Sequence, residues 1–134
     1  MGNGQHYLKS GGFRSYFYVH KETITAGGLT AKVIAWYNTK DFHDSLPMFS
    51  NTSKLYMRYA RGGKQIIQLR VFEGRKPVLD FDWGHPHRPF KEGIVHVHIW
   101  KNGRRMSAER LMNNAEMKRY GALIKKACSK AKFR

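Results

Sequence analysis

Through the middle of the chain, apolar and polar positions alternate with the two-residue period of a half-buried strand. This pattern predicts strands at 54–60, 64–72, 76–83 and 94–100, with Pro77 near a strand start where a missing N–H is tolerated. Gly62-Gly63, Glu73-Gly74-Arg75 and Lys101-Asn102-Gly103 supply the turns. Upstream, the aromatic run at 13–20 reads as a strand, Gly27-Gly28 punctuates, and 29–37 fits either a second strand or a short helix. Residues 38–53 read as a long loop with one helical turn at 41–46, and 84–93 as a proline-punctuated loop. Beyond Ser107, a plausible N-cap, the period becomes helical. Ala108, Leu111, Met112, Ala115, Leu123, Ile124 and Ala127 form the apolar stripe, with Arg110, Lys118, Arg119, Lys125 and Lys126 opposite. The expected fold is α+β, one domain over 1–134. Its antiparallel meander sheet carries a C-terminal helix at 107–129 packed on one face, a flexible arm at 1–12, and an end fraying through Lys130, Lys132 and Arg134.

Sorting the strands by parity separates two faces. One collects Ile67, Leu69, Val71, Leu79, Phe81, Val95, Val97 and Ile99, the expected seat of the helix. The other collects Gln68, Arg70, Asp80, Asp82, His96 and His98. A one-sided antiparallel sheet shows polar residues to water in any case, but then Lys, Thr, Glu and Ser are expected. Here an Asp-x-Asp strand lies beside a His-x-His strand, with His85 and His87 in the loop between them.

Charge changes the picture next. The 134 residues carry 25 Lys and Arg against 9 Asp and Glu, a formal net charge of +16 that would self-repel unless a polyanion rewarded it. Apolar residues at 41% exclude a disordered polybasic tail. No apolar run reaches the ~20 residues of a membrane span, and none near Met1 resembles a signal peptide. The single cysteine, Cys128, excludes an intramolecular disulfide and any cysteine-based zinc site, and suits a reducing compartment. Nucleic acid, RNA first, or a host ribonucleoprotein is the expected partner, with no membrane and a cytoplasmic location in a bacterial host cell.

Two chemistries could use the polar face. Histidines two apart on a strand, with a neighbouring carboxylate, can bind a transition metal. Alternatively, one imidazole takes the 2′-hydroxyl proton of RNA and a second group serves the leaving oxygen. Arg or Lys would hold the phosphate charge, and Asp80 or Asp82 would fix a histidine tautomer. The overall charge favours the second. Pro86 and Pro89 stiffen the loop and hold His85 and His87 apart from the strand pair, so no stoichiometric metal and no cofactor is expected. Tyr16, Tyr18, Trp36, Tyr37, Tyr56 and Tyr59 interleave with basic residues as base-stacking platforms would, although aromatic strands more often serve as core.

The stretch SNTSKLYMRYARGGKQIIQLRVFEGRKPVLDFDWGHPH, followed by HVHIWKNGRR, resembles small domains of phage and mobile-element proteins and polymorphic toxins. It covers residues 50–105, a little under half of the chain. Such domains are often grouped with the barnase, EndoU, colicin and RelE-like ribonuclease fold, which implies metal-free RNA cleavage. On the matching positions the resemblance implies Lys54, Arg70, Asp80, Asp82, His96 and His98 as catalytic residues. Arg58, Arg88, Lys91, Arg104, Arg105, His85 and His87 are the expected nucleic-acid contacts, with Lys125 and Lys126 mattering less. The expected function is a basic nucleic-acid-binding protein, as a metal-independent ribonuclease or as a non-enzymatic inhibitor of a host nuclease or CRISPR effector.

Overall fold

The computed structural model describes residues 4–7, 13–16, 18–36, 46, 50, 54–60, 64–84 and 93–134. Gly4–Tyr7 (β1), within the expected arm, pairs antiparallel with Phe13–Tyr16 (β2) in a two-stranded sheet. The main sheet follows from Tyr18–Ala26 (β3), Leu29–Trp36 (β4), Leu55–Tyr59 (β5), Ile66–Glu73 (β6), Lys76–Asp82 (β7) and His96–Lys101 (β8). Arg104–Arg105 (β9) and Arg110–Leu111 (β10) both pair with β8, and the order is β10-β8-β7-β6-β5-β4-β3. The 29–37 alternative resolves as a strand. The tight hairpin turns place Gly27 and Gly28 at φ 62° and 78°, and Asn102 and Gly103 at 52° and 77°. Such left-handed pairs match the twist of the flanking strands.

The sheet is antiparallel with one exception that departs from a pure meander. β4 and β5 run parallel, and their connection spans the long segment read as a loop. Parallel neighbours cannot be joined by a tight turn, so a crossover of a dozen or more residues is required.

The apolar face is the core. Leu69, Val71, Phe81, Val95 and Val97 pack with Met57, Val33 and Ala31 under Tyr120, Leu123 and Ile124 of the helix Asn114–Ala127 (α1). The rings of Phe81 and Tyr120 lie 5.1 Å apart. Burying side chains of this size stabilises by about 1.5–3 kcal/mol each.

The helix starts six residues later than Ser107 as N-cap suggested. Residues 110–111 are used as a strand against His96 and Val97, and the N-cap is Asn113. The Asn113 side chain accepts from the Glu116 backbone N–H at 2.8 Å, and the Glu116 carboxylate accepts from the Asn113 N–H at 3.0 Å. This capping box satisfies two otherwise orphaned donors. The end does not fray: the Val95 N–H donates to Lys132 at 2.7 Å, Lys132 donates to Gly93 at 2.8 Å, and Ala131 is fully buried. The basic side chains read as a fraying tail belong to a segment pinned by its backbone.

At Gly84 a Cβ would meet the Cβ of Ile67 at 2.4 Å. Gly84→Ala should therefore destabilise by about 1–3 kcal/mol in urea unfolding, since neither partner is a flexible tip. Asn113→Ala should cost about 1 kcal/mol. Burial pushes the Glu116 carboxyl up, but hydrogen bonds from Arg110 and the Asn113 backbone outweigh it and hold it below its ordinary range. Its contribution is therefore complete above the unfolded value of about 4.3 and is lost as pH falls through the folded one. Unfolding curves of the wild type and Glu116→Ala should converge in acid.

Candidate functional site

The register places the polar positions in two rows across the sheet. Tyr56, Arg70, Asp80 and His98 are successive partners, as are Arg58, Gln68, Asp82 and His96. Directly paired residues share a face, so β5 to β8 present these side chains together. The face is not open to water: Asp80 and His96 are 0% exposed, Arg70 and Asp82 4%, and His98 7%.

Arg70 grips Asp80 through two hydrogen bonds, Nε to Oδ1 at 2.7 Å and Nη2 to Oδ2 at 2.9 Å. Its Nη1 donates to the Leu46 carbonyl at 2.8 Å, and its guanidinium lies 4.9 Å from the Trp100 ring centroid. The residue expected to hold phosphate is thus committed to a carboxylate inside the protein. Arg105 comes over from β9, its Nε 3.4 Å from Asp80 Oδ2 and its Nη2 donating to Asp82 Oδ2. Burial pushes the Asp82 carboxyl above its ordinary range; Arg105 pulls it down and Asp80 pushes it further up.

The two histidines lie with ring centroids 5.8 Å apart. His98 Nδ1 is 3.0 Å from the Met106 carbonyl and His96 Nδ1 is 3.4 Å from the Ile94 carbonyl. A carbonyl can only accept, so these contacts put the ring proton on Nδ1 and turn each Nε2 toward the carboxylates. Glu109 Oε2 lies 3.4 Å from both Nε2 atoms, and Asp82 Oδ2 lies 3.9 Å from that of His96 and 4.0 Å from that of His98.

Arg70, Asp80, Asp82, His96 and His98 therefore come together as the alternation indicated, joined by Arg105. Lys54 does not. It is exposed at the head of β5, two strands from Asp80 and level with Phe72. Arg58 is half-buried and donates through Nε to Gln68 at 2.6 Å, while Arg104 is exposed on the β8–β9 hairpin. Tyr56 is buried edge-on against Phe72 rather than offered for stacking. The Tyr59 hydroxyl donates to Glu22, which with burial raises its pKa to about 12. His85, His87, Arg88, Lys91, Tyr37 and Gly62-Gly63 lie outside the described residues, as does all of the 38–53 loop save Leu46 and Ser50.

Sequence reasoning missed Glu109. It falls in the stretch beyond Ser107 that the sequence pattern assigned to the helix, and only the β10 pairing at Arg110 and Leu111 carries it to the histidines. Comparison with family models, curated proteins and solved structures finds no match to this chain, so its own geometry carries the functional argument.

Removing one member of the buried Arg70–Asp80 pair should be costly. Asp80→Ala leaves a buried guanidinium without its carboxylate and should destabilise by about 3–5 kcal/mol in chemical denaturation. The double variant Arg70→Met/Asp80→Leu should lose less than Asp80→Ala alone.

Proposed function

We propose that this protein binds nucleic acid, RNA first, through its exposed cations, as a basic protein of the phage or mobile-element kind acting in the cytoplasm of a bacterial host. One observation carries the reading. Among the described residues, fifteen Lys and Arg are exposed against two exposed carboxylates, Glu22 and Glu73. Asp80, Asp82 and Glu116 are buried and Glu109 is largely covered. Folding thus withdraws negative charge from the surface and leaves positive charge outside, which concentrates phosphate and accelerates encounter.

Two surfaces serve this binding. The β8–β9 hairpin exposes Lys101 and Arg104, beside an Arg105 whose guanidinium is held by Asp80 and Asp82. The solvent face of α1 exposes Lys118, Arg119, Lys125 and Lys126, with its one acid, Glu116, turned in to Arg110. No helix among the described residues is long and apolar enough to cross a membrane.

Binding is favoured over cleavage. A general base must reach the 2′-hydroxyl within hydrogen-bond distance. The imidazoles of His96 and His98 instead direct both ring nitrogens at protein atoms and are almost wholly covered. Total RNA should therefore remain intact on incubation with the protein.

Fluorescence anisotropy with labelled single-stranded RNA, duplex RNA and duplex DNA tests the proposal. For about six or more phosphate contacts, affinity should fall about 10³-fold or more between 50 and 200 mM salt. Lys101→Glu/Arg104→Glu should weaken binding at least tenfold with an unchanged circular dichroism spectrum. Salt-independent affinity would rule out the polyanion reading.

A further inference from the structure

The gathering of two imidazoles and two carboxylates at one end of β7 and β8 has a chemistry independent of nucleic-acid binding. We propose that His96, His98, Asp82 and Glu109 form a closed, tetrahedral site for a divalent transition ion, Zn²⁺ first, that ties the segment before α1 to the sheet.

The distances carry the argument. A charge-assisted N–H···O bond is about 2.7–2.9 Å long, whereas two ligands on one tetrahedral zinc with bonds of 2.0–2.1 Å stand about 3.3–3.4 Å apart. Glu109 Oε2 lies 3.4 Å from Nε2 of both histidines, the edge of a coordination tetrahedron rather than the length of an ion-pair hydrogen bond. Ligand atoms of Asp82, His96 and His98 all lie within 4.8 Å of one another. Asp82 stands wide, at 3.9 and 4.0 Å from the two Nε2 atoms, and Glu109 lies outside the mutual set of Asp82 and the histidines, so the two carboxylates would have to draw together around the ion to complete the tetrahedron.

The surroundings agree. Metal-ligating histidines characteristically donate their other ring N–H to a carbonyl or carboxylate, which fixes the tautomer with the free lone pair on the ligating nitrogen. Both histidines direct Nδ1 at a backbone carbonyl, Met106 for His98 and Ile94 for His96. Arg105 donates to Asp82 in the position of an outer-shell partner, and Asp80 behind it is matched by Arg70. Charge also balances. Two neutral imidazoles, two carboxylates and a divalent cation sum to zero, and the Arg105 guanidinium against Asp82 adds one positive charge at the edge of the site. Four protein ligands leave no open position for substrate, which defines a structural site. Nitrogen and oxygen donors at this spacing suit Zn²⁺ over the all-oxygen preference of Mg²⁺ or Ca²⁺. The expectation of no metal rested on the loop histidines being held away; with Glu109 in place the site does not need them.

The test uses the full chain, dialysed against EDTA and then into metal-free buffer. Equimolar Zn²⁺ should raise the midpoint of thermal unfolding by several degrees. Elemental analysis after gel filtration should return one zinc per chain, and Co²⁺ in its place should give the intense visible bands of tetrahedral coordination. Mg²⁺ should do none of this. Glu109→Gln should weaken Zn²⁺ binding by more than the roughly 10–100-fold that loss of an outer-shell partner costs. His85→Ala/His87→Ala should bind as the wild type does. Absence of a thermal shift and of bound zinc in the wild type would overturn the site. So would binding that survives Glu109→Gln but is lost with His85 and His87. Should Glu109→Gln fail to fold, the Co²⁺ spectrum of the wild type decides, weak octahedral bands counting against the proposal.

Discussion

Setting the Arg70–Asp80 pair between two neighbouring strands obliges every polar group around it to find a partner inside the protein. The cost of removing two charges from water is offset only when their geometry is close and their remaining donors and acceptors are satisfied. Here the guanidinium makes two bonds to one carboxylate, a third to the Leu46 carbonyl, and lies against the Trp100 ring. Asp82, one row along the same face, meets Arg105 from the β8–β9 hairpin. The hairpin is thereby folded over the sheet by charge, and the histidine row is closed in behind it.

Much of this was legible in the alternation of residues 66–82 and 96–100. A period of two puts Arg70, Asp80 and His98 on one face whatever the rest of the chain does. The short Gly74-Arg75 turn fixes the register that pairs Arg70 with Asp80, whereas the pairing of Asp80 with His98 closes a longer connection. Alternation cannot say whether a polar face meets water. That depends on which segments come back over it: Leu46 precedes β5, Arg105 ends the two-residue β9, and Glu109 lies in the irregular stretch before β10, none of them placed by the alternation. The helix start went astray for a related reason. Ser107 is an acceptable cap, but Asn113 with Glu116 three residues on is the stronger signature, and strand pairing at Arg110–Leu111 claimed the residues between. The parallel β4–β5 junction was not legible: a long loop permits a parallel neighbour but does not require one, and the alternation of 29–36 and 55–59 is the same for either direction.

The same burial shapes the outside of the molecule. Four of the carboxylates stand on the covered face or at the helix start, each within reach of an arginine or histidine. Each acid drawn inward takes one negative charge from the surface, so the interior network and the basic exterior arise from one arrangement. A substitution that freed Asp80 or Asp82 to reach water would also lower the potential that a phosphate backbone encounters.

The parallel junction divides the sheet into two blocks of different wiring. β5 to β8 are joined in chain order by antiparallel neighbours, and β3 and β4 form a hairpin of their own. Contacts within each block are near in sequence, whereas the seam between β4 and β5 closes only after a long intervening segment has been confined. The blocks can therefore form quickly and separately, and the seam sets the pace at which the sheet becomes one. Helix α1 packs on β3 and β4, so the β3–β4 hairpin is tied to the rest of the molecule through the helix as well as through the seam, and the C-terminal element acts as a clasp on the N-terminal block.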